Sequence, residues 1–409
     1  MSILYVIIFI LLFYINIKKH GFNTASLLVF IYLVSSIFTQ ILTSTAPSEY
    51  NPNDITLDSV VAHVVLLFLF MSPIIHVGNK ILISELIISD AIFSRFVFFV
   101  IVCGLSGIIV SYWGIIEVLS APNFEAARFD ALAREDTSYY SYGLIGYLAT
   151  IGTMTPMFAI FCAFYRLFVH NKTGIILYLL ILSSFSGAFL NFAGAGRDGF
   201  VRWALFMVFN IVLFKNQISL RKIPKILLLI LIVFGSTIVT LFIAITIARF
   251  GEGDKGWMSV MEYIGQSFYH FSNTFHGVGN ENHFGFNSIF PLFPGANDPL
   301  SIARISNFNF RTDVFPTFVG SFVLKVGYIN TFALGVTFFI IYTYLSRYKR
   351  LKLYNIVAYM IFYQVAYIGI FYFVFAMLAR QLSFLILYML SKYKIKINNL
   401  EIRYLWIRH

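Results

Sequence analysis

Residues 175–214 read IILYLLILSSFSGAFLNFAGAGRDGFVRWALFMVFNIVLF, two apolar runs joined by a charged, glycine-rich turn. The first run, 175–192, is long enough to cross a bilayer as a helix, and 199–214 is a shorter candidate for the return. Between them lies Gly194-Ala195-Gly196-Arg197-Asp198-Gly199. This spelling also fits G-x-G-x-x-G, but a dinucleotide fingerprint needs a strand in front and a soluble βαβ unit around it. An apolar helix stands there instead, which excludes that reading. Glycines allow close backbone approach, and a helix start offers unpaired N–H groups to an anion. With Arg197 the turn has the parts of a phosphate or diphosphate clamp; an ordinary interfacial turn with a snorkelling arginine is the competing reading.

Composition agrees with the membrane reading. Of 409 residues, 59% are hydrophobic, 19% aromatic and only 11% charged, and the mean hydropathy is +0.83. A soluble domain cannot hide that much apolar surface, so the expected fold is all-α and polytopic, with about 10–12 transmembrane helices. The net charge of +11 comes from short basic clusters between apolar runs. That pattern reports topology and argues against a nucleic-acid partner. Cys103 and Cys162 both fall inside apolar runs, so no disulfide framework is expected. The apolar stretch 3–17 lacks a basic n-region and reads as a retained span.

Long apolar runs occur at about 24–43, 58–78, 95–119, 142–169, 175–192, 226–248, 328–346 and 353–375, with shorter ones at 3–17, 199–214 and 381–391. With eleven spans, six alternate segments hold 19 of the 29 Lys and Arg residues, which makes that side the cytoplasm. The chain divides into membrane helices over 1–248, a large outer loop over 249–327, and membrane helices with a basic tail over 328–409. A connection as long as 249–327 is expected to be functional.

The outer side gathers Arg197, Asp198, Arg202, Arg249, Glu252, Asp254, His270, His276, His283, Arg304, Arg311 and Asp313. Guanidinium groups match phosphate geometry, and ionisable residues at membrane depth mark functional sites by default. Arg202 lies about one turn beyond Arg197, so both can face one cavity. A salt bridge between Arg311 and Asp313 competes with ligand binding there. Each histidine is a possible general base or a structural residue. The spacing of Phe268, Phe271 and Phe275 favours packing residues on an amphipathic helix lying on the membrane. In 120–141, Glu125, Arg128, Asp130, Arg134, Glu135 and Asp136 read as the solvated face of a surface helix. No His or Cys spacing suggests a metal, and no cofactor is expected.

Roughly eleven spans, GAGRDGFVRW before a membrane helix, and one large outer loop in the C-terminal half together resemble the bacterial O-antigen polymerases (Wzy-type), within the wider O-antigen polymerase and ligase group. The resemblance covers most of the chain as architecture, while its motif is short. It implies a metal-independent glycosyltransferase of the bacterial inner membrane. Such an enzyme joins undecaprenyl-diphosphate-linked oligosaccharide repeat units on the periplasmic face, in lipopolysaccharide or related polysaccharide biosynthesis, with a chain-length regulator as a possible partner. Arg197 then corresponds to the arginine of the Gly/Ser-Arg motif. Arg249, Arg304 or Arg311 correspond to loop arginines that hold the diphosphate. The resemblance aligns no particular histidine; the residues themselves offer His276 or Glu252 as the base, and Asp198, Arg202 and Asp313 as further substrate-binding candidates. The alternatives are an O-antigen ligase, which delivers finished glycan to lipid A core, and a flippase for the same lipid. A flippase is expected to show internal repeats and broken helices at the midplane.

Overall fold

The computed structural model describes residues 1–121, 143–196, 198–219, 223–225, 254–278, 285–291, 316–347, 350–371, 373, 375 and 377–393. Among these the protein is helical, with one isolated bridge between Ile87 and Lys352 and no strand. In chain order the helices are α1 (Ser2–His20), α2 (Thr24–Thr45), α3 (Leu57–Gly78), α4 (Asp90–Ser120), α5 (Gly143–Gly152), α6 (Pro156–Phe164), α7 (Ile175–Ser184) and α8 (Ser186–Ala193). They continue as α9 (Asp198–Leu213), α10 (Asp254–Val278), α11 (Thr317–Val326), α12 (Tyr328–Leu345), α13 (Leu353–Ile368) and α14 (Leu378–Lys392).

Among the described residues, six helical stretches are long and apolar enough to cross a membrane: Ser2–His20, Thr24–Thr45, Leu57–Gly78, Asp90–Ser120, Ile175–Ala193 and Tyr328–Leu345. α5 and α6, the latter extended by a wide turn to Val169, make a seventh only if counted together, because they bend by 67°. The chain is therefore a multi-pass membrane protein. The run 142–169 had read as one span. It breaks where Thr153 and Thr155 interrupt the helix and Pro156 starts the next turn, since proline suits a first helical position and no interior one.

Small residues set how closely these helices pack. A Cβ added at Gly104 would stand 2.5 Å from Ser183 Cβ, and one at Gly114 would stand 2.8 Å from Ala193 Cβ. Gly107 meets Ser186 and Leu190 in the same row, and Gly152 lies on the backbone of Cys103. Apolar helices gain little from burial against lipid, so close van der Waals contact through such rows holds them together. Cys103 and Cys162 are buried and unpaired.

The basic loops meet at one end. Lys215 Nζ donates to Phe22 O at 2.5 Å, and Asn23 Nδ2 donates to Asn79 Oδ1 at 2.8 Å. Ile87 N donates to Leu351 O, His170 packs on Phe93, and Lys392 lies over Tyr354. At the other end Ser2 Oγ donates to Gln40 Oε1 and lies 3.1 Å from Thr43 Oγ1. The N-terminus thus sits opposite the basic loops, as the charge pattern leads one to expect. The run 226–248 and the acidic segment of 122–141 lie outside the described residues.

The stretch read as an outer loop contributes two helices to the main core. α10 packs on α2 and buries Phe268 and Phe271 completely, with Phe268 4.7 Å from Tyr5 and 5.7 Å from Phe9. The phenylalanine spacing does mark packing residues, but they face the bundle. Hydropathy alone missed this helix because only one stripe of it is apolar. α11 begins inside the bundle: Thr317 meets His63, six residues into α3, and Phe318 meets Phe70. Its far end returns outward, where Tyr328 packs on Phe275 next to His276.

The run 353–375 had also read as one span, yet α13 stops at Ile368. The chain turns at Gly369, whose carbonyl accepts from Phe318 N at 2.6 Å, while Phe371 O accepts from Thr317 N at 2.9 Å. Two broken helix ends thereby satisfy each other, which non-helical backbone at depth requires.

Candidate functional site

The glycine-rich hairpin folds over one side chain, Asn191. Its carbonyl accepts from Gly194 N at 3.1 Å and Gly196 N at 2.9 Å, and its Oδ1 accepts from Gly199 N at 3.1 Å. Ala195 takes the left-handed conformation (φ 52°) and donates to Phe192 O. A Cβ at Gly196 would stand 2.5 Å from Asn191 Oδ1, and one at Gly199 would stand 2.7 Å from Asn191 Cβ. The glycines therefore serve close packing, and these amides bond within the protein. The apolar signal of the run hid Asn191, a lone amide in its last turn.

Asp198 opens α9 and pairs with Arg202 one turn later, both side chains about a quarter exposed. Carboxylates favour a helix start, and the i, i+4 spacing brings the arginine over it. The Arg202 guanidinium also lies within electrostatic reach of the buried Tyr367 hydroxyl on α13. Just below, Trp203 Nε1 donates to Ser184 Oγ at 2.9 Å and its ring stacks on Phe185 at 4.5 Å. Arg202 is thus held on a rigid helix, at the end of the bundle opposite the basic loops.

His276 belongs to a second group at that end. Its Nε2 is 2.7 Å from Thr56 Oγ1 and 3.9 Å from Asp58 Oδ1, and the imidazole is exposed. Hydroxyl and carboxylate approach the same ring nitrogen, whereas a relay triad needs them on opposite nitrogens. His276 therefore lacks a relay geometry and stands as an exposed imidazole beside a hydroxyl and a carboxylate. Beside it Tyr269 Oη donates to Asp54 Oδ2 at 2.5 Å, and Ser272 Oγ donates to Asp54 O at 2.6 Å. Burial, and then the proton held toward Asp54, push the Tyr269 phenol up to about 12. His270 is nearly buried, with its ring against Tyr50 and Tyr269.

Deeper in, His63 is fully buried, its Nδ1 3.1 Å from Tyr5 Oη and its Nε2 3.0 Å from Thr317 Oγ1. The imidazole stacks on Phe271 at 3.8 Å with an interplanar angle of 6°. Thr317 is itself left-handed (φ 65°), a conformation that costs free energy in a β-branched residue and needs firm surroundings. Sequence reasoning passed over His63, Asp54 and Asp58 because the first sits inside an apolar run, Asp54 in a short connection and Asp58 in the first turn of α3.

Of the expected site residues, the structure joins Asp198 to Arg202 and sets His276 on Thr56 and Asp58. Arg197, Arg249, Glu252, His283, Arg304, Arg311 and Asp313 lie outside the described residues, and Asp254 is described in its backbone alone. No group of three His, Cys, Asp or Glu placed to hold a metal occurs among the described residues. Compared with known protein families, curated proteins and solved structures, the chain matches none.

Proposed function

We propose that this chain joins lipid-diphosphate-linked oligosaccharide repeat units into a surface polysaccharide, on the face of the bacterial inner membrane opposite its basic loops. The observation carrying this reading is Arg202, fixed by Asp198 one turn below the glycine hairpin at that face. A rigidly held guanidinium suits a diphosphate, and charge aimed at a leaving group often dominates catalysis. In the reaction an acceptor hydroxyl attacks the anomeric carbon and the bond from that carbon to the phosphate oxygen breaks. The diphosphate leaves with the electron pair, and His276 or Glu252 takes the hydroxyl proton. The glycan's undecaprenyl anchor lies among membrane lipids, and a chain-length regulator is a partner consistent with this chemistry.

The test is purified protein given lipid-linked repeat units alone. A ladder of longer lipid-linked glycans is the expected product. Unchanged single units that are consumed only when lipid A core is added make the protein a ligase instead. A flippase reading draws on the 67° bend between α5 and α6 and on the recessed ends of α11 and α13. Broken helices of this kind are common around transport sites. Transbilayer movement of the lipid-linked unit without elongation favours that second reading.

A further inference from the structure

α13 carries Tyr359, Tyr363 and Tyr367 four residues apart, so their rings form a row on one side of the helix, with centroids 5.8 and 5.9 Å apart. α9 faces this row. Phe209 lies 4.3 Å from Tyr363, Phe206 lies 6.2 Å from Tyr367, and Asn210 follows Phe209. The seam is closed: Tyr359, Tyr363, Tyr367 and Asn210 are 0%, 1%, 4% and 0% exposed.

One end of the row is bonded, since Tyr359 Oη donates to Thr24 Oγ1 at 2.8 Å near the basic end. The rest is different. Tyr363 Oη, Tyr367 Oη, Gln364 Nε2 and Asn210 Oδ1 are buried with no hydrogen-bond partner among the described residues, although Asn210 Nδ2 donates to Phe206 O at 2.8 Å. Buried polar groups are almost always paired, so orphans on two helices that meet through their aromatic side chains call for small partners between them. They include donors and an acceptor, which suits a molecule able to do both. A saccharide has no opening through residues this buried. A cation would need a carboxylate, and Asp198, the carboxylate α9 carries, is tied to Arg202.

We propose that ordered water fills the α9–α13 seam, bridging the Tyr363 and Tyr367 hydroxyls to Asn210 and linking the Arg202 end of the bundle to the Tyr359–Thr24 pair. Tyr359 to Tyr367 spans eight residues, about 12 Å along the helix. This hydrated column gives the guanidinium a polar floor and carries hydrogen bonding through about 12 Å of the roughly 30 Å hydrocarbon layer. Buried waters with two to four polar partners are integral parts of folded proteins.

X-ray hydroxyl-radical labelling of the full chain in nanodiscs, read by mass spectrometry, tests this without any substitution. Radicals formed from bound water oxidise adjacent side chains even where bulk solvent is excluded. Tyr32 is the internal control, because it is 0% exposed and its hydroxyl is already bonded to Ala366 O at 2.7 Å. Tyr363 and Tyr367 are expected to oxidise several-fold faster than Tyr32. Rates equal to that of Tyr32 mean a dry seam and overturn the proposal.

Discussion

Gly265 of α10 lies directly on the backbone of Phe38 in α2, where an added Cβ would stand 2.6 Å from the Phe38 carbonyl carbon. Ser35 Oγ donates to Ile264 O at 2.6 Å and Thr39 Oγ1 donates to Gly265 O at 2.5 Å, so two hydroxyls of α2 clasp the α10 backbone at this crossing. The contact makes α10 part of the membrane bundle. Gly265→Val is expected to push the two helices apart and cost about 1–3 kcal/mol or more, in the range of overpacked cores. A thermal melt in detergent checks it, and an unchanged midpoint contradicts this packing.

Asn191→Ala removes the acceptor of Gly199 N and the side chain on which Gly196 and Gly199 rest. The lost bond and the cavity are expected to lower stability by about 1–3 kcal/mol, the cost of a buried unsatisfied donor. The same substitution loosens the start of α9, so elongation should fall more than membrane level does. Quantifying both in one strain separates the two effects. Equal losses leave the hairpin a merely structural turn.

The Tyr269–Asp54 bond predicts a dependence on alkaline pH. Its phenol is raised from 10.0 to about 12, so the folded state holds the proton more tightly than the unfolded chain. That stability is fully present below about pH 10 and is lost as pH rises toward about 12. The difference in melting temperature between wild type and Tyr269→Phe should therefore shrink across this window. A difference constant from pH 8 to 12 contradicts the assignment.

His63 is bonded through both ring nitrogens, and it pins α11 at its strained first residue, Thr317. His63→Ala removes the partner of the buried Tyr5 hydroxyl, leaves Thr317 Oγ1 only the bond from Gly320 N, and opens a cavity against Phe271, with an expected loss of about 3–5 kcal/mol. Thr317→Ser keeps the hydroxyl and should stay within about 1 kcal/mol of wild type. Protease protection of the segment around Pro316 distinguishes them: it is lost in His63→Ala and kept in Thr317→Ser. Equal protection in both shows that α11 is held by other contacts.

Much of the fold was legible because a bilayer imposes a length and a polarity on every spanning helix. Residues 24–45, 57–78 and 175–193 begin and end within a few residues of their apolar runs. The breaks were not legible. Composition stays uniform across Gly369 and across Thr153–Thr155, and only tertiary contacts show where the helices stop. α10 was legible as an amphipathic helix but not as part of the bundle, because its apolar stripe faces α2 while its mean hydropathy is low. At the candidate site, charge pattern identified Asp198 and Arg202. Asn191 and His63 were hidden inside apolar runs; Asn191 acts on the hairpin that follows it, whereas the role of His63 depends on Tyr5 and Thr317, far away in sequence.

The central claim is that the face carrying the glycine hairpin elongates a lipid-linked glycan. The most direct measurement is the surface polysaccharide of a deletion strain carrying wild type, Arg202→Ala or Arg197→Ala, at matched membrane levels. Wild type is expected to give a full chain-length ladder, and the deletion and either arginine variant a single repeat unit on the core. A wild-type ladder from the deletion strain, or from both variants, contradicts it.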